Sequence, residues 1–439
     1  MASTRLTKTF SSSGNRNKWT ISLWVKRGKL GSTQTLFACH QNSNYKTRLE
    51  IAADDELYFN DEYNGNTNGR IVSNAKLRDT NAWYHIVGIW DKDNSTSDDK
   101  IRFYINGSRI TSFSDTGNAP SNASTLNVDG QVHEFGSENS GNLFDGAMSH
   151  IHFCDGYAYE PTEFGETDAT TGEWKIKTSP SVSYGTNGFF ILKNGNGVTD
   201  QSPNSNDWTV AAGTLTKTED CPSNVFCTMN PLDNQNQAST FTMGNNKIEW
   251  NTNNKTNFAT MAVNKGKFYW EMKYANNAGG TDAMTGVCRE VSRDGSDWVG
   301  HDSHGWSYYA SNGNKYTGGS GSSYGNSWTT NNIIGVAFDA DTRTLWFSKD
   351  GVWQNSATIS EIAAGTTTNS AFTNFGTAGE FFFPATSGYD GNKIEFNFGN
   401  GYFSTTQITS AGSNASNIGL FEYDVPNNFT ALSTKGLNE

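Results

Sequence analysis

Charge is scarce in this chain. Charged residues fill 17% of 439 positions, well below the roughly 25% of ordinary soluble proteins. The balance is acidic, with 32 Lys and Arg against 44 Asp and Glu and a formal net charge of −12. Phosphate backbones require concentrated Lys and Arg, so no nucleic-acid partner is expected, and an anionic membrane surface is disfavoured for the same reason. Long apolar runs are missing as well. No segment approaches the ~18 residues of a membrane span, and MASTRLTKTF lacks the apolar stretch of a secretory signal, so synthesis in the cytoplasm of the producing cell without membrane insertion is expected. Cysteine is sparse and odd in number: Cys39, Cys154, Cys221, Cys227 and Cys288. No CxxC pair exists to suggest zinc or redox chemistry. Cys39 and Cys154 sit in strand-like runs (TLFAC, SHIHFCDG) where small buried hydrophobes are expected. Cys221 and Cys227 in CPSNVFC are close enough for a local disulfide. Proline is also rare, at 8 residues.

What fills the chain instead is 27 Phe, 17 Tyr and 13 Trp among 45 Gly and 51 Asn. The aromatics can anchor cores and exclude a disordered tail. Asn, Ser, Thr and Gly disfavour helix interiors, Thr and the aromatics suit strands, and Asn and Gly serve the turns. The expected fold class is all-β. Length allows two or three domains, since a sandwich can run to ~200 residues.

From Lys18 to Gly156 short alternating strands follow one another. Ile21, Leu23 and Val25 share one face of WTISLWV, as do Ile101, Phe103 and Ile105 in IRFYI, and Met148 and Ile151 begin AMSHIHF. Asn64-Gly65, Asn68-Gly69, Asn106-Gly107 and Asp129-Gly130 are read as turns between them. The order KWTISLWVKRG, QTLFAC, DTNAWYHIVGIWD, KIRFYINGSRI and FDGAMSHIHFCDGYAYEPTEF resembles a laminin G or concanavalin A-like lectin and glucanase domain over residues 1–165. Residues 166–240 hold or adjoin five prolines, Pro161, Pro180, Pro203, Pro222 and Pro231. This stretch reads as a connector. Tyr184, Phe189, Phe190, Ile191, Leu192 and Trp208 make it too apolar for a free linker, so it is expected to drape across the domains with one or two added strands. The second half, residues 241–439, offers KFYWEMKY, TGVCRE, GWSYYASNGNKY, NNIIGVAFDADTRTLWFSKDG, EFFFPATSGY and KIEFNFGNGYF, with Asp350-Gly351 and Asp390-Gly391 as hairpin signals. YWEM, IGVAFD with LWFSKDG, and FFPA with FNFG together resemble a SPRY domain. The architecture expected is two antiparallel concanavalin A-like (jelly-roll) β-sandwiches joined by a proline-containing connector.

The pair of domains in one chain, bridged by FGETDATTGEW and ending near NFTALSTKGLNE, resembles a group of proteins from tailed phages, marine ones especially. That resemblance implies a virion structural protein on the particle exterior, as a tail fibre or adhesin or a capsid-attached appendage. It implies other virion proteins as partners and a homo-oligomer, with a trimer favoured. Purely structural decoration of capsid or tail, and a polysaccharide depolymerase, are the alternatives.

Catalysis needs two carboxylates placed across one strand, and the compact E-x-D-x-x-E run of the glucanases is absent. Asp54, Asp55 and Glu56 are adjacent, Asp61 and Glu62 sit in a turn, and Glu163 and Glu166 lie in the bridge. No catalytic residue and no cofactor is assigned, and the protein is read as a non-enzyme. His150 and His152 share one strand face and read as exposed positions flanking Ile151; His301 and His304 flank Asp302. Asp91, Asp93, Asp98 and Asp99 form an acidic loop, but an EF-hand counted from Asp91 meets Thr96 and Arg102 where Gly and Glu are required. No metal site is assigned. Glycan binding asks for an aromatic face to stack on a sugar ring beside amide and carboxylate hydrogen-bonding groups. Two regions have that mix. Trp298, Tyr316, Tyr324 and Trp328 are read as loop residues available to a ligand such as a host-surface glycan, with Trp306 turned inward; Tyr58, Tyr63, Asn64 and Asn66 form the second set, on the hairpin ELYFNDEYNGNTNG.

Overall fold

The computed structural model describes residues 4–117, 119–193, 195, 197–233, 239–278, 280–289 and 297–438. It divides into two compact units, residues 1–217 and 218–439. Strands dominate both, and they pair antiparallel with few exceptions; among the described residues the one α-helix is Ile359–Ala363.

In the first unit eight strands form a sheet in the order Phe113–Thr116, Asn66–Lys76, Glu56–Tyr63, Tyr45–Ile51, Gln34–Asn42, Val132–Phe135, Arg5–Thr9 and Thr209–Ala212. Six more follow the order Phe189–Ile191, Gly146–Asp155, Lys18–Arg27, Trp83–Asp91, Ile101–Ile105 and Ser108–Arg109. Alternate residues of each strand point the same way, so Ile21, Leu23 and Val25 meet Phe37, Leu49 and Phe59 in one core. Trp19 stacks on Trp90 there, with ring centroids 6.0 Å apart. Asn64-Gly65 and Asn106-Gly107 close two-residue hairpins with positive φ at both residues, as such turns require. Asn68-Gly69 does not turn. Both residues lie inside strand Asn66–Lys76, where the buried Asn68 amide donates to Asp61 at 2.8 Å. Gly69 is needed for space: a Cβ on it would fall 2.4 Å from Ile101 Cδ1.

The expected connector is not a separate body. Its residues up to Lys217 belong to the first unit and those from Thr218 to the second. Gly165–Thr167 and Trp174–Ile176 form a hairpin, Phe189–Ile191 extends the six-stranded sheet, and Thr209–Ala212 pairs with Arg5–Thr9. Phe164, Val182 and Tyr184 cover the outer face of that sheet, packing on Val87, Ile89, Tyr104 and Cys154. This cover is why Lys18–Arg27 and Trp83–Asp91 are buried on both faces although their sequences alternate. It also corrects the reading of His150 and His152 as exposed. The pairing shifts register between Ser149 and His152, with His150 at a φ of 46°, and both rings are buried. His152 stacks on Phe190 at 3.8 Å and shares a hydrogen bond with the Tyr184 hydroxyl.

In the second unit one sheet runs Ser239–Thr242, Lys247–Trp250, Asn392–Asn397, Lys267–Asn277, Ile333–Asp339, Thr344–Lys349 and Val352–Trp353, with Thr430–Ala431 added in parallel to Lys267–Asn277. The other runs Lys255–Phe258, Phe382–Gly388, Met284–Arg289, Gly305–Tyr309, Asn314–Thr317 and Ser320–Ser323. Trp270, Met272, Ile334 and Phe396 meet Val287, Trp306, Tyr308 and Phe382 between them. Asp350-Gly351 closes a hairpin, but Asp390-Gly391 joins strands of different sheets and so is an arch. Phe421, Val425 and Phe429 of the C-terminal extension cover Tyr269, Ala337 and Trp346 on the far face of the first of these sheets. A buried carboxylate fixes that cover: Glu271 accepts hydrogen bonds from the backbone N–H groups of Glu422 and Tyr423 at 2.9 and 2.8 Å. None of the five cysteines forms a disulfide. Cys39 and Cys154 are buried, and Cys221 and Cys227 are not joined; Cys221 Sγ lies 3.3 Å from Ser223 Oγ instead.

Candidate functional site

The strand Gly305–Tyr309 sends Trp306 and Tyr308 into the core, which leaves Ser307 and Tyr309 on the opposite, outer face of the sheet. Its neighbour pairs Ser307 with Tyr316, so Tyr316 stands on that same outer face. Gly321 faces Tyr316 from the next strand, and a Cβ there would come within 2.5 Å of the Tyr316 ring, so glycine keeps the ring's place clear. The loop 297–304 lies against the same face. Val299 N–H donates to Ser387 Oγ at 3.2 Å, Ser307 Oγ donates to Val299 O at 2.6 Å, and Thr256 Oγ1 donates to Asp297 O.

Held in this way, Trp298 meets the Tyr316 ring at 5.5 Å and 90°, Tyr316 meets Tyr309 at 5.5 Å and 90°, and His301 meets Trp298 at 5.3 Å and 83°. These perpendicular contacts join ring edges to ring faces. Trp298, Tyr316 and Tyr309 are half-buried and His301 is exposed. Polar groups surround them. Asp297 lies 3.2 Å from His301 Nδ1, Asp302 lies 3.1 Å from His304 Nδ1, Tyr309 OH donates to Asp282, and Asn312 Nδ2 donates to Tyr316 OH at 3.4 Å. An apolar ring set with hydrogen-bonding groups at its margin is suited to a flat, hydroxylated ligand.

Of the four residues read as one ligand-facing set, the structure brings Trp298 and Tyr316 together and takes Tyr324 and Trp328 away. The latter two are 7% and 2% exposed and belong to the core. Tyr324 OH accepts the Phe347 N–H at 3.0 Å, and Trp328 packs edge-on against Tyr274 at 5.5 Å. Burial removes both from ligand contact. Tyr309 and His301, which are not among those four, complete the ring set. Strand alternation in GWSYY was the available signal for Tyr309, because it lies opposite in parity to the inward Trp306.

The second set is divided. Tyr58 lies on the outer face of the eight-stranded sheet, with the Arg48 guanidinium 5.8 Å from its ring centre. Tyr63 stands five residues further along, about 17 Å at ~3.4 Å per residue, and packs on Tyr45 at 5.2 Å beside the exposed Asn64 and Asn66. Three of the four carboxylates of the acidic loop are held in ion pairs: Asp91 with Lys18 at 3.2 Å, Asp93 with Lys92 at 2.7 Å and Asp99 with Arg109 at 2.7 Å. Among the described residues no group of three or more His, Cys, Asp or Glu side chains is arranged to hold a metal ion.

Comparison with known families agrees with the two-sandwich fold. Residues 4–163 match the family described as the concanavalin A-like lectin/glucanases superfamily (laminin G type), and residues 267–401 match the SPRY domain. The chain carries a concanavalin A-like domain followed by a SPRY domain. Among solved structures, the SPRY domain of human HERC1 is 21% identical and covers 38% of this chain and 96% of its own, with a TM-score of 0.31. The TRIM65 PSpry domain is 11% identical and covers 39% and 91%, with a TM-score of 0.30. The SAP-like pentraxin from Limulus polyphemus is 16% identical and covers 34% and 69%, with a TM-score of 0.26. No curated protein matches the chain. The ring set around Trp298 therefore belongs to the SPRY domain, and Tyr58 to the concanavalin A-like domain.

Proposed function

We propose that this chain is a non-enzymatic recognition protein that binds host-surface glycans through the SPRY-domain surface formed by Trp298, Tyr316 and Tyr309, and that it works on the exterior of a tailed-phage particle as a fibre, adhesin or capsid-attached appendage. The observation that carries the reading is the ring set itself: three half-buried aromatic rings held by strand pairing and a pinned loop, with carboxylate and amide groups at the margin. Rigid placement matters because a ring already fixed loses little freedom when a sugar stacks on it. The low charge and the abundance of Asn, Ser, Thr and Gly suit a displayed surface that packs against fixed neighbours, since long charged side chains cost entropy to order. The virion placement rests on the resemblance of the domain order to the tailed-phage group, and a homotrimer is the oligomer proposed.

The test is a glycan array with the full chain, followed by competition of the protein against particle adsorption to host cells. Binding that is lost in Trp298→Ala supports the reading. A folded oligomer that binds no glycan and no cell leaves structural decoration in its place, and new reducing ends on capsular or cell-wall polysaccharide make the protein a depolymerase.

A further inference from the structure

The ring set of the SPRY domain carries charge of one sign. At its margin Asp297 meets His301, Asp302 meets His304 and Asp282 accepts the Tyr309 hydroxyl. The Asp297 and Asp302 side chains are 50% and 49% exposed. Asp302 is held beside the strand of Tyr316, because its carbonyl oxygen accepts the Gly318 N–H at 2.7 Å while Gly319 N–H donates to Gly300 O at 2.9 Å. Cations are turned away. Among the described residues, no Lys or Arg stands at an outward position of the six strands of this sheet or in the loop 297–304. Lys315 alternates with Tyr316 and so points to the inner side, where its ammonium donates to Ala371 O and lies 5.3 Å from the centre of the Phe372 ring. Arg289 has the same inward parity and binds both oxygens of Glu380, at 2.8 and 3.1 Å. With His301 and His304 neutral, three carboxylates border the rings on a face whose strands and loop bring no cation.

This charge selects among ligands that could stack on the rings. An aromatic face attracts a cation as well as an apolar surface. A carboxylate offers about four lone-pair sites; His301 takes one at Asp297, and the ring and backbone N–H of His304 take two at Asp302. Capacity therefore remains for further donors. A primary ammonium brings three N–H donors and a positive charge, and Asp297 is next in the chain to Trp298, so one sugar can lay its apolar face on the indole and turn its ammonium to the carboxylate. An N-acetylated sugar keeps the stacking and loses the charge. A uronic, sulfated or phosphorylated sugar meets like charge at close range. A quaternary ammonium has no N–H to donate and is left with the ring faces alone.

We propose, on the reading of this surface as a glycan site, that its ligand is a cationic glycan, an amino sugar polymer whose free ammonium groups meet Asp297 and Asp302 while its rings stack on Trp298 and Tyr316. The contacts are half-exposed, so the cationic sugar is preferred over its N-acetylated counterpart by about tenfold at low salt, and salt that contracts the Debye length to a few Å reduces the preference to about twofold.

The test is isothermal titration of the full chain at pH ~7 with the hexamers of glucosamine, N-acetylglucosamine and galacturonic acid, in ~50 mM and ~500 mM NaCl. The glucosamine hexamer should bind about tenfold tighter than the N-acetylated one at the lower salt, and the galacturonate most weakly. The double substitution Asp297→Asn and Asp302→Asn should remove the gap and leave the affinity for the N-acetylated hexamer within about twofold, which also shows that the domain remains folded. The chain as a whole has a net charge of −12, so Trp298→Ala separates the site from general attraction: it should weaken the glucosamine hexamer about tenfold. Choline should compete at least tenfold more weakly than glucosamine, for want of N–H donors. Equal affinity for the cationic and N-acetylated hexamers, tighter binding of galacturonate, a gap that survives the double substitution, cationic binding that persists in Trp298→Ala, or choline as effective as glucosamine each overturns the charge selection. In the first two cases the surface is still a glycan site; if none of the three hexamers binds, the glycan reading falls with it.

Discussion

Trp298 and Trp328 lie thirty positions apart in one aromatic, Gly- and Ser-rich stretch, and their structural fates make opposite predictions. Trp328 is 2% exposed and packs on Tyr274 at 5.5 Å and on Tyr308 at 5.9 Å. Trp328→Ala removes a full indole from the interior of the SPRY domain and leaves a cavity that the flanking rings cannot fill. Such truncations cost about 3–5 kcal/mol, and for a unit of ~200 residues each kcal/mol moves Tm by ~2–4 °C. The transition of this unit should fall by about 10 °C. Trp298 is half-buried and contacts its neighbours through ring edges at 5.3 and 5.5 Å. Trp298→Ala therefore forfeits about 1 kcal/mol of pairwise ring contact and should shift the same transition by only about 3 °C. It should nonetheless weaken glycan binding about tenfold, because a stacking face worth ~1–1.5 kcal/mol is gone. Differential scanning calorimetry of the full chain, with the transition of each unit followed separately, reads the first effect and isothermal titration the second. The reasoning fails if Trp298→Ala melts as low as Trp328→Ala, or if Trp328→Ala leaves the transition within about 3 °C of the parent.

Three further outcomes are expected. Glu271→Ala deprives the Glu422 and Tyr423 N–H groups and the Asn397 amide of their shared acceptor, which should cost about 3–5 kcal/mol and make the segment around Glu422 and Tyr423 sensitive to limited proteolysis; a digest identical to that of the parent chain would refute it. In the first unit burial pushes His85 down to about 3, His133 and His150 to about 4 and His152 well below its ordinary value. These depressed values favour the folded unit above pH ~6.5, and the advantage shrinks as pH falls, by ~1 kcal/mol per histidine at pH ~5.5. Glu271 acts in the opposite sense, since burial raises it from 4.5 to about 7; its contribution is complete below pH ~4.5 and is lost as pH rises to ~7. Melting curves between pH 5 and 7 should thus show the first unit losing stability on acidification while the second gains, and parallel movement of both would contradict the burial argument. Gly286→Ala should abolish folding of the second unit or cost it more than ~3 kcal/mol, because the added Cβ would lie 1.9 Å from the Trp306 carbonyl oxygen on the neighbouring strand; a soluble variant of unchanged Tm would show that this pairing can give way.

Local patterning carried much of the fold. The alternation in WTISLWV and IRFYI, the hairpins at Asn64-Gly65 and Asn106-Gly107, and the inward Trp306 all depend on residues within a few positions of each other, and all appear as expected. The departures arise where distant chain segments decide the outcome. Asn68-Gly69 has the composition of a turn, yet it is drawn into a strand by Asp61 on one side and by the bulk of Trp90 and Ile101 on the other. His150 and His152 alternate with Ile151 as an exposed pair would, yet residues from Phe164 to Phe190 cover that face, and nothing in SHIHF announces the cover.

The candidate site shows the same division within a single stretch. Tyr316 can be placed from strand parity and from its pairing with Ser307, which are relations of period two along neighbouring strands. Tyr324 and Trp328 follow the edge strand Ser320–Ser323, and their direction is set by Phe347 and Tyr274, residues that precede or follow them by a strand or more. An aromatic beyond the last strand of a sheet can turn to solvent or return to the core with identical local sequence. What decides between the two is whether a backbone N–H and an apolar wall await it, as Phe347 N–H awaits Tyr324, and that information resides in the partner strand. A run of Trp and Tyr among Gly and Ser is therefore evidence for a glycan surface only for those rings that strand parity points away from the core, as it does Tyr316, or that a pinned loop holds on the outer face, as it does Trp298.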